Sequence, residues 1–96
     1  MSKAESNAMT VAKKVTSFLK KEYGATRVML FGSLADGFFK KDSDIDIYFE
    51  GIPSTRLLRA AGHCTEVFHK YDLDLIPASF CDADMRQRIL KEGVAL

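Results

Sequence analysis

Arg27-Val28-Met29-Leu30-Phe31-Gly32-Ser33 and, after a spacer of ten residues, Asp44-Ile45-Asp46-Ile47-Tyr48-Phe49-Glu50 decide the fold. The first stretch is an apolar run closed by Gly-Ser, the pattern of a buried strand that ends in a tight turn. The second alternates. Ile45, Ile47 and Phe49 take one face, and Asp44, Asp46 and Tyr48 take the other, as in a half-buried strand. Residues 34–43 between them read as a loop or a short helical turn.

Upstream, Val11, Val15, Phe18 and Leu19 recur at the spacing of one helical face, and Gly24 is placed to stop that helix. Downstream, Gly51 and Pro53 punctuate, and Ser54 is a candidate cap for a helix running to about Lys70. Its stripe is Leu57, Leu58, Ala61, Cys64, Val67 and Phe68, with Gly62 as a weak point costing roughly 1 kcal/mol against alanine. Tyr71 to Ile76 alternates again and stops at Pro77. Asp82 or Ser79 would cap a last helix through Lys91, which Gly93 closes. The expected order is helix–strand–loop–strand–helix–strand–helix: a small α/β domain, a short mixed β-sheet with helices packed on it, filling residues 1–96.

Composition agrees and narrows the function. Ninety-six residues with 47% hydrophobic and 28% charged side chains describe an ordinary globular chain. Fourteen basic against thirteen acidic groups leave a net charge of +1, too little for a nucleic-acid footprint. No stretch approaches the roughly eighteen apolar residues of a membrane helix, and MSKAESNAMT lacks the apolar core of a secretory signal. The expected location is the cytoplasm, where Cys64 and Cys81 would be packed thiols rather than a disulfide.

Aspartate is depleted in strands, so Asp44 and Asp46 on one face of an apolar strand need a reason. Side chains at i and i+2 point the same way, and two adjacent carboxylates repel unless a cation lies between them. Hard divalent ions such as Mg²⁺ are held by a few carboxylates together with substrate phosphates. Tyr71-Asp72-Leu73-Asp74-Leu75-Ile76 repeats the arrangement, so neighbouring strands would bring three or four carboxylates together. Such a cluster suits two metal ions roughly 3.5–4 Å apart and in-line phosphoryl or nucleotidyl transfer. A solvent-facing polar edge continued by Tyr48 and Glu50 is the plain alternative. Gly32-Ser33 adds a turn where backbone N–H groups approach an anion closely and a hydroxyl can donate to a phosphate oxygen. No lysine follows in the P-loop spacing.

Other residues read as structural. His63 and His69 are six apart and lack the i, i+4 spacing of a helical zinc pair. Phe38 and Phe39 either stack on a base or anchor the loop to the core. Lys40 and Lys41 form a solvated pair unless the loop folds back.

Leu30-Phe31-Gly32-Ser33, the ten-residue spacer, Asp44-Ile45-Asp46 and the later Asp72 together resemble the signature of the polymerase-β-like nucleotidyltransferase superfamily, hG[GS] followed by Dh[DE]h. More closely, the chain resembles the minimal nucleotidyltransferase (MNT) family, from about Val28 to the Ile89-Leu90-Lys91-Glu92-Gly93-Val94 close. The resemblance implies the nucleotidyltransferase fold, a Mg²⁺-dependent site for ATP or another NTP, and transfer of a nucleoside monophosphate with loss of pyrophosphate. By the same resemblance Gly32 and Ser33 would hold the triphosphate, and Asp44 and Asp46 would ligate the metals. Asp72 matches the third carboxylate, binding the catalytic metal and accepting the acceptor's proton, with Asp74 as the alternative. The chain departs from the family's Gly-Ser-Arg-Ala-Arg-Gly turn, reading Gly32-Ser33-Leu34-Ala35-Asp36-Gly37.

Minimal nucleotidyltransferases pair with a small helical HEPN-type protein and act as its antitoxin, in some cases by transferring AMP to a tyrosine. The resemblance therefore implies AMP transfer to such a partner protein. The rival, motivated by Leu34 and Asp36 in place of two cations, is a catalytically weak module of the same fold that masks its partner by binding.

Overall fold

A serine at the second position starts the first helix. In this computed structural model, which describes residues 2–96, Ser2 Oγ accepts the Glu5 N–H at 3.1 Å. This cap opens α1 (Lys3–Tyr23), eight residues before the first apolar position singled out in the sequence. Its buried stripe is Ala8, Ala12, Val15, Thr16, Leu19 and Tyr23, and Gly24 ends it by donating its N–H to Leu19 and Lys20.

The chain continues as β1 (Arg27–Phe31), the short helix α2 (Gly32–Asp36), β2 (Ile45–Glu50), α3 (Leu57–Val67), β3 (Leu73–Pro77), α4 (Ala83–Glu92) and β4 (Val94–Ala95). Three boundaries differ from the sequence reading, and a fourth, the cap of α4, falls to the first of its two candidates. A 3₁₀ turn over Ser54–Arg56 leads into α3, and Ser54 supplies no side-chain cap there. The helix stops at Val67 and crosses Gly62 unbroken. Asp82, not Ser79, caps α4, its Oδ1 accepting Met85 N–H at 2.8 Å. Finally, Val94–Ala95 pairs with β1 instead of trailing as coil.

The sheet order is β3-β2-β1-β4. β2 and β4 run antiparallel to β1, while β3 lies parallel to β2, with α3 as the crossover. This is the expected short mixed sheet. α1 and α3 cover one face, packing against Val28, Leu30, Ile45, Ile47 and Phe49. α4 covers part of the other, where Met29, Tyr48, Cys81 and Ile89 form a smaller core. Among the described residues, no helix is long and apolar enough to cross a membrane.

That second core corrects the view of β2 as half-buried. Tyr48 lies on the aspartate face, yet it is wholly buried. Its hydroxyl donates to Glu50 Oε2 at 2.5 Å, and Glu50 also faces Arg27 at 3.6 Å. One face of β2 is therefore divided into a sealed half at Tyr48 and an open half at Asp44 and Asp46. Removing the buried hydroxyl in Tyr48→Phe should cost about 1 kcal/mol. In a thermal melt that is a drop of roughly 4–8 °C, and an unchanged midpoint would mean that the Tyr48–Glu50 bond contributes nothing net.

Candidate active site

The open half of that face is assembled by strand register. Phe31, the last residue of β1, is paired with Asp46, and Asp46 is paired in turn with Asp74 of β3. Gly32 therefore follows directly on one side of Asp46 while Asp74 flanks the other. Gly32 sits at φ +73°, in the left-handed region that favours glycine. A Cβ there would overlap Asp46 Oδ2 and lie 3.0 Å from Asp46 Cγ. The turn thus needs glycine twice, for its backbone and for the carboxylate lodged against it.

Asp46 is only partly exposed. Burial pushes its carboxyl up to about 6, helped by the charges of Asp74 and Asp44 and by a hydrogen bond with Asp74. Asp44, Asp72 and Asp74 line a common open cleft of about 530 Å³. The Ile45 N–H donates to the Asp72 carbonyl at 2.8 Å, holding the start of β3 against β2. The convergence of carboxylates expected from two neighbouring strands is present. Asp74 is the neighbour of Asp46, and Asp72 stands one repeat earlier, towards Asp44. The resemblance puts Asp72 first with Asp74 as the alternative, both residues sharing a face; the register sets Asp74, not Asp72, beside Asp46.

Several other residues are settled by packing. Cys64 and Cys81 are buried free thiols, and burial pushes Cys64 up to about 11. His63 Nδ1 shares a 2.8 Å hydrogen bond with the Tyr23 hydroxyl and meets the Phe18 ring edge-on, so it joins α1 to α3. Phe39 is buried and anchors its loop, whereas Phe38 projects into solvent. Leu34 of the turn points into the core. The sequence reading missed the partnership of Lys41 with Lys70, which line one cavity beside Asp72. The two lysines stand 29 positions apart on different loops, so no linear motif could mark them.

A family model for polymerase beta nucleotidyltransferases matches residues 13–96. The chain belongs to that family. Among solved structures, a minimal nucleotidyltransferase superposes with a TM-score of 0.80 at 22% identity, over 96% of this chain and 95% of the other. A toxin–antitoxin complex with AMP-PNP gives 0.71 at 20% identity, over 88% and 70%. The Shewanella oneidensis complex of an MNT antitoxin with a tri-AMPylated HEPN toxin gives 0.65 at 17% identity, over 92% and 70%. At these identities the likeness establishes the nucleotidyltransferase fold. No curated protein matches by sequence.

Magnesium is the metal that the polymerase beta nucleotidyltransferase family implies. Among the described residues, no three His, Cys, Asp or Glu side chains enclose an ion by themselves. The donor set nevertheless fits a hard cation. All the donors are carboxylate oxygens, Asp46 is crowded by like charges, and glycine leaves room beside it. Mg²⁺ takes one or two protein carboxylates and completes its shell with water and substrate phosphates, so an all-protein cage is not required.

Proposed function

We propose that this chain is a Mg²⁺-dependent nucleotidyltransferase that moves AMP from ATP to a hydroxyl of a small helical partner protein, as the antitoxin of an MNT/HEPN-type pair. The observation that carries the reading is the strand row Phe31–Asp46–Asp74, with Gly32 directly after Phe31 and lodged against the Asp46 carboxylate, inside a family match covering residues 13–96. Relatives of the same fold are a toxin–antitoxin complex with AMP-PNP and an antitoxin with an AMPylated toxin, which supports the nucleotide and the partner.

Gly32 and Ser33 would receive the triphosphate, backbone N–H groups and the Ser33 hydroxyl donating to its oxygens. Asp44 and Asp46 would hold Mg²⁺, joined by Asp74 or Asp72. The bound ion supplies charge neutralisation at the phosphates. The acceptor oxygen forms a bond to the α-phosphorus while the bond from that phosphorus to the bridging oxygen of the β-phosphate breaks. Pyrophosphate leaves with the electron pair, and the acceptor's proton passes to the third carboxylate. We assign that role to Asp74, because it adjoins Asp46, with Asp72 nearer the cleft mouth.

The test is incubation of the full chain with the product of the neighbouring gene, ATP and Mg²⁺, followed by intact-mass measurement. The expected result is a gain of one or more AMP masses on the partner, lost with EDTA. A partner that is neutralised yet never modified would replace this reading with the masking module, for which the absence of cations at Leu34 and Asp36 is the motive. A partner neither bound nor modified would exclude both.

A further inference from the structure

β2 and β3 run parallel, so both start at the aspartates and both finish at the opposite end of the sheet, where Phe49 is paired with Pro77. At that end α3 starts on one face, after the 3₁₀ turn at Ser54–Arg56. α4 starts there on the other face, after a second 3₁₀ turn at Ala78–Phe80. Between the two starts lies a recess of about 190 Å³, whose lining includes Glu50, Ile52, Leu57, Pro77 and Ser79.

Two large apolar side chains stand out beside this recess. Leu58 follows Leu57 and is 88% exposed, and Phe80 follows Ser79 and is 73% exposed. Neither sits on a loose tether. Leu58 belongs to the first turn of α3. Phe80 belongs to a turn fixed at Ala78, whose carbonyl accepts the Cys81 N–H at 3.1 Å and Arg86 Nη2 at 3.2 Å. The charges at this end are divided between the two faces. Arg56 and Arg59 stand at the start of α3, Asp82 and Asp84 at the start of α4. Arg56 lies over the Tyr23 ring at 4.8 Å, Arg86 is held at Ala78, and Glu50 is engaged by Tyr48 and Arg27. Arg59 on one face and Asp84 on the other are exposed.

We infer that this end of the sheet is the contact between two copies of the chain. A two-fold axis lying in the sheet and perpendicular to its strands reverses the strand direction and exchanges the two faces. The start of α3 in one copy then meets the start of α4 in the other. Arg59 faces Asp84 and Phe80 enters the recess, each contact being made twice. A surface of one charge sign would repel its own copy, whereas this one is complementary to itself. Removing Leu58 and Phe80 from water drives the association. The aspartates of both copies lie at the two outer ends, so the dimer leaves both clefts open.

The test is sedimentation velocity of the full chain over a dilution series up to about 1 mM, the weak limit of specific association. The expected species at the upper end has twice the chain mass of 10.7 kDa. Leu58→Glu with Phe80→Glu should keep the chain at the single mass throughout, with circular dichroism unchanged because both side chains are exposed. Arg59→Glu alone and Asp84→Arg alone should each weaken the dimer at least ~10-fold in Kd, and the two together should restore it. A single mass at every concentration, or a dimer that survives Leu58→Glu with Phe80→Glu, would overturn the inference. So would a double charge exchange that binds no better than the single ones. A monomer that loses its hold on the neighbouring gene's product through Phe80→Glu would give this surface to that protein and overturn the inference as well.

Discussion

Gly32→Ala is expected to lower AMP transfer at least ~100-fold while leaving a folded protein. Two effects add at this position. The left-handed φ of +73° costs a residue with a Cβ about 1–2 kcal/mol. The new methyl also occupies the space of Asp46 Oδ2, and the carboxylate must turn away from the turn that faces it. Reactive geometry tolerates little of this, since a displacement of about 1 Å can cost ~100-fold in rate. Gly37→Ala separates the two effects. Gly37 has a similar φ of +82°, but a Cβ there meets nothing within 4 Å. It should carry the backbone penalty and keep most of its activity. The measurement is the rate of AMP addition to the partner, with circular dichroism to check the fold. Equal losses in the two variants would show that strain, rather than the contact with Asp46, is what matters.

That dependence of Gly32 on Asp46 was half legible in the sequence. An apolar run ending in Gly32-Ser33, followed by an alternating strand with Asp44 and Asp46, is enough to place two strands and a loaded turn, because period-2 patterning survives whatever packs around it. The pattern is silent about pairing. Asp72 and Asp74 are equivalent in a strand read alone, and the parallel register, which sets Asp46 against Asp74, is a tertiary property. Tyr48 shows the same limit. Alternation put it on the polar face, and it is on that face, but α4 and the turn before it bury it. The second layer depends on where α4, beginning 35 residues after Tyr48, comes to rest, which no strand pattern encodes. β4 escaped notice for a different reason: Val94–Ala95 is too short to show any period, and its pairing with β1 alone defines it. The start of α1 could have been found, since Ser2 and Glu5 stand at capping-box spacing ahead of the apolar stripe.

Asp46→Asn should separate the demands of stability from those of chemistry. In the folded chain burial, then the charges of Asp74 and Asp44, push the Asp46 carboxyl up to about 6 from the ordinary value of 3.8. The folded state therefore holds this proton more tightly than the unfolded state does. Stability contributed by the protonated form is complete below about 4, falls as pH rises towards about 6, and is absent above it. At pH 8 the metal-free protein carries the full penalty of an ionised Asp46, and asparagine, of the same shape, removes it. Because the side chain is partly exposed and its charge partly screened, the gain is about 1 kcal/mol, a rise of roughly 4–8 °C in Tm. At pH 4 the two proteins should melt nearly together. With Mg²⁺ and ATP at 100 times Kd the order should reverse at pH 8, because ligand that binds the native state adds about 2.7 kcal/mol to the wild type. The variant, lacking the carboxylate, should gain little and transfer AMP at least ~100-fold more slowly. A variant less stable than the wild type at pH 8 without metal would mean that Asp46 is held by favourable contacts rather than crowded, and the cluster would then be a structural edge instead of a site waiting for a cation.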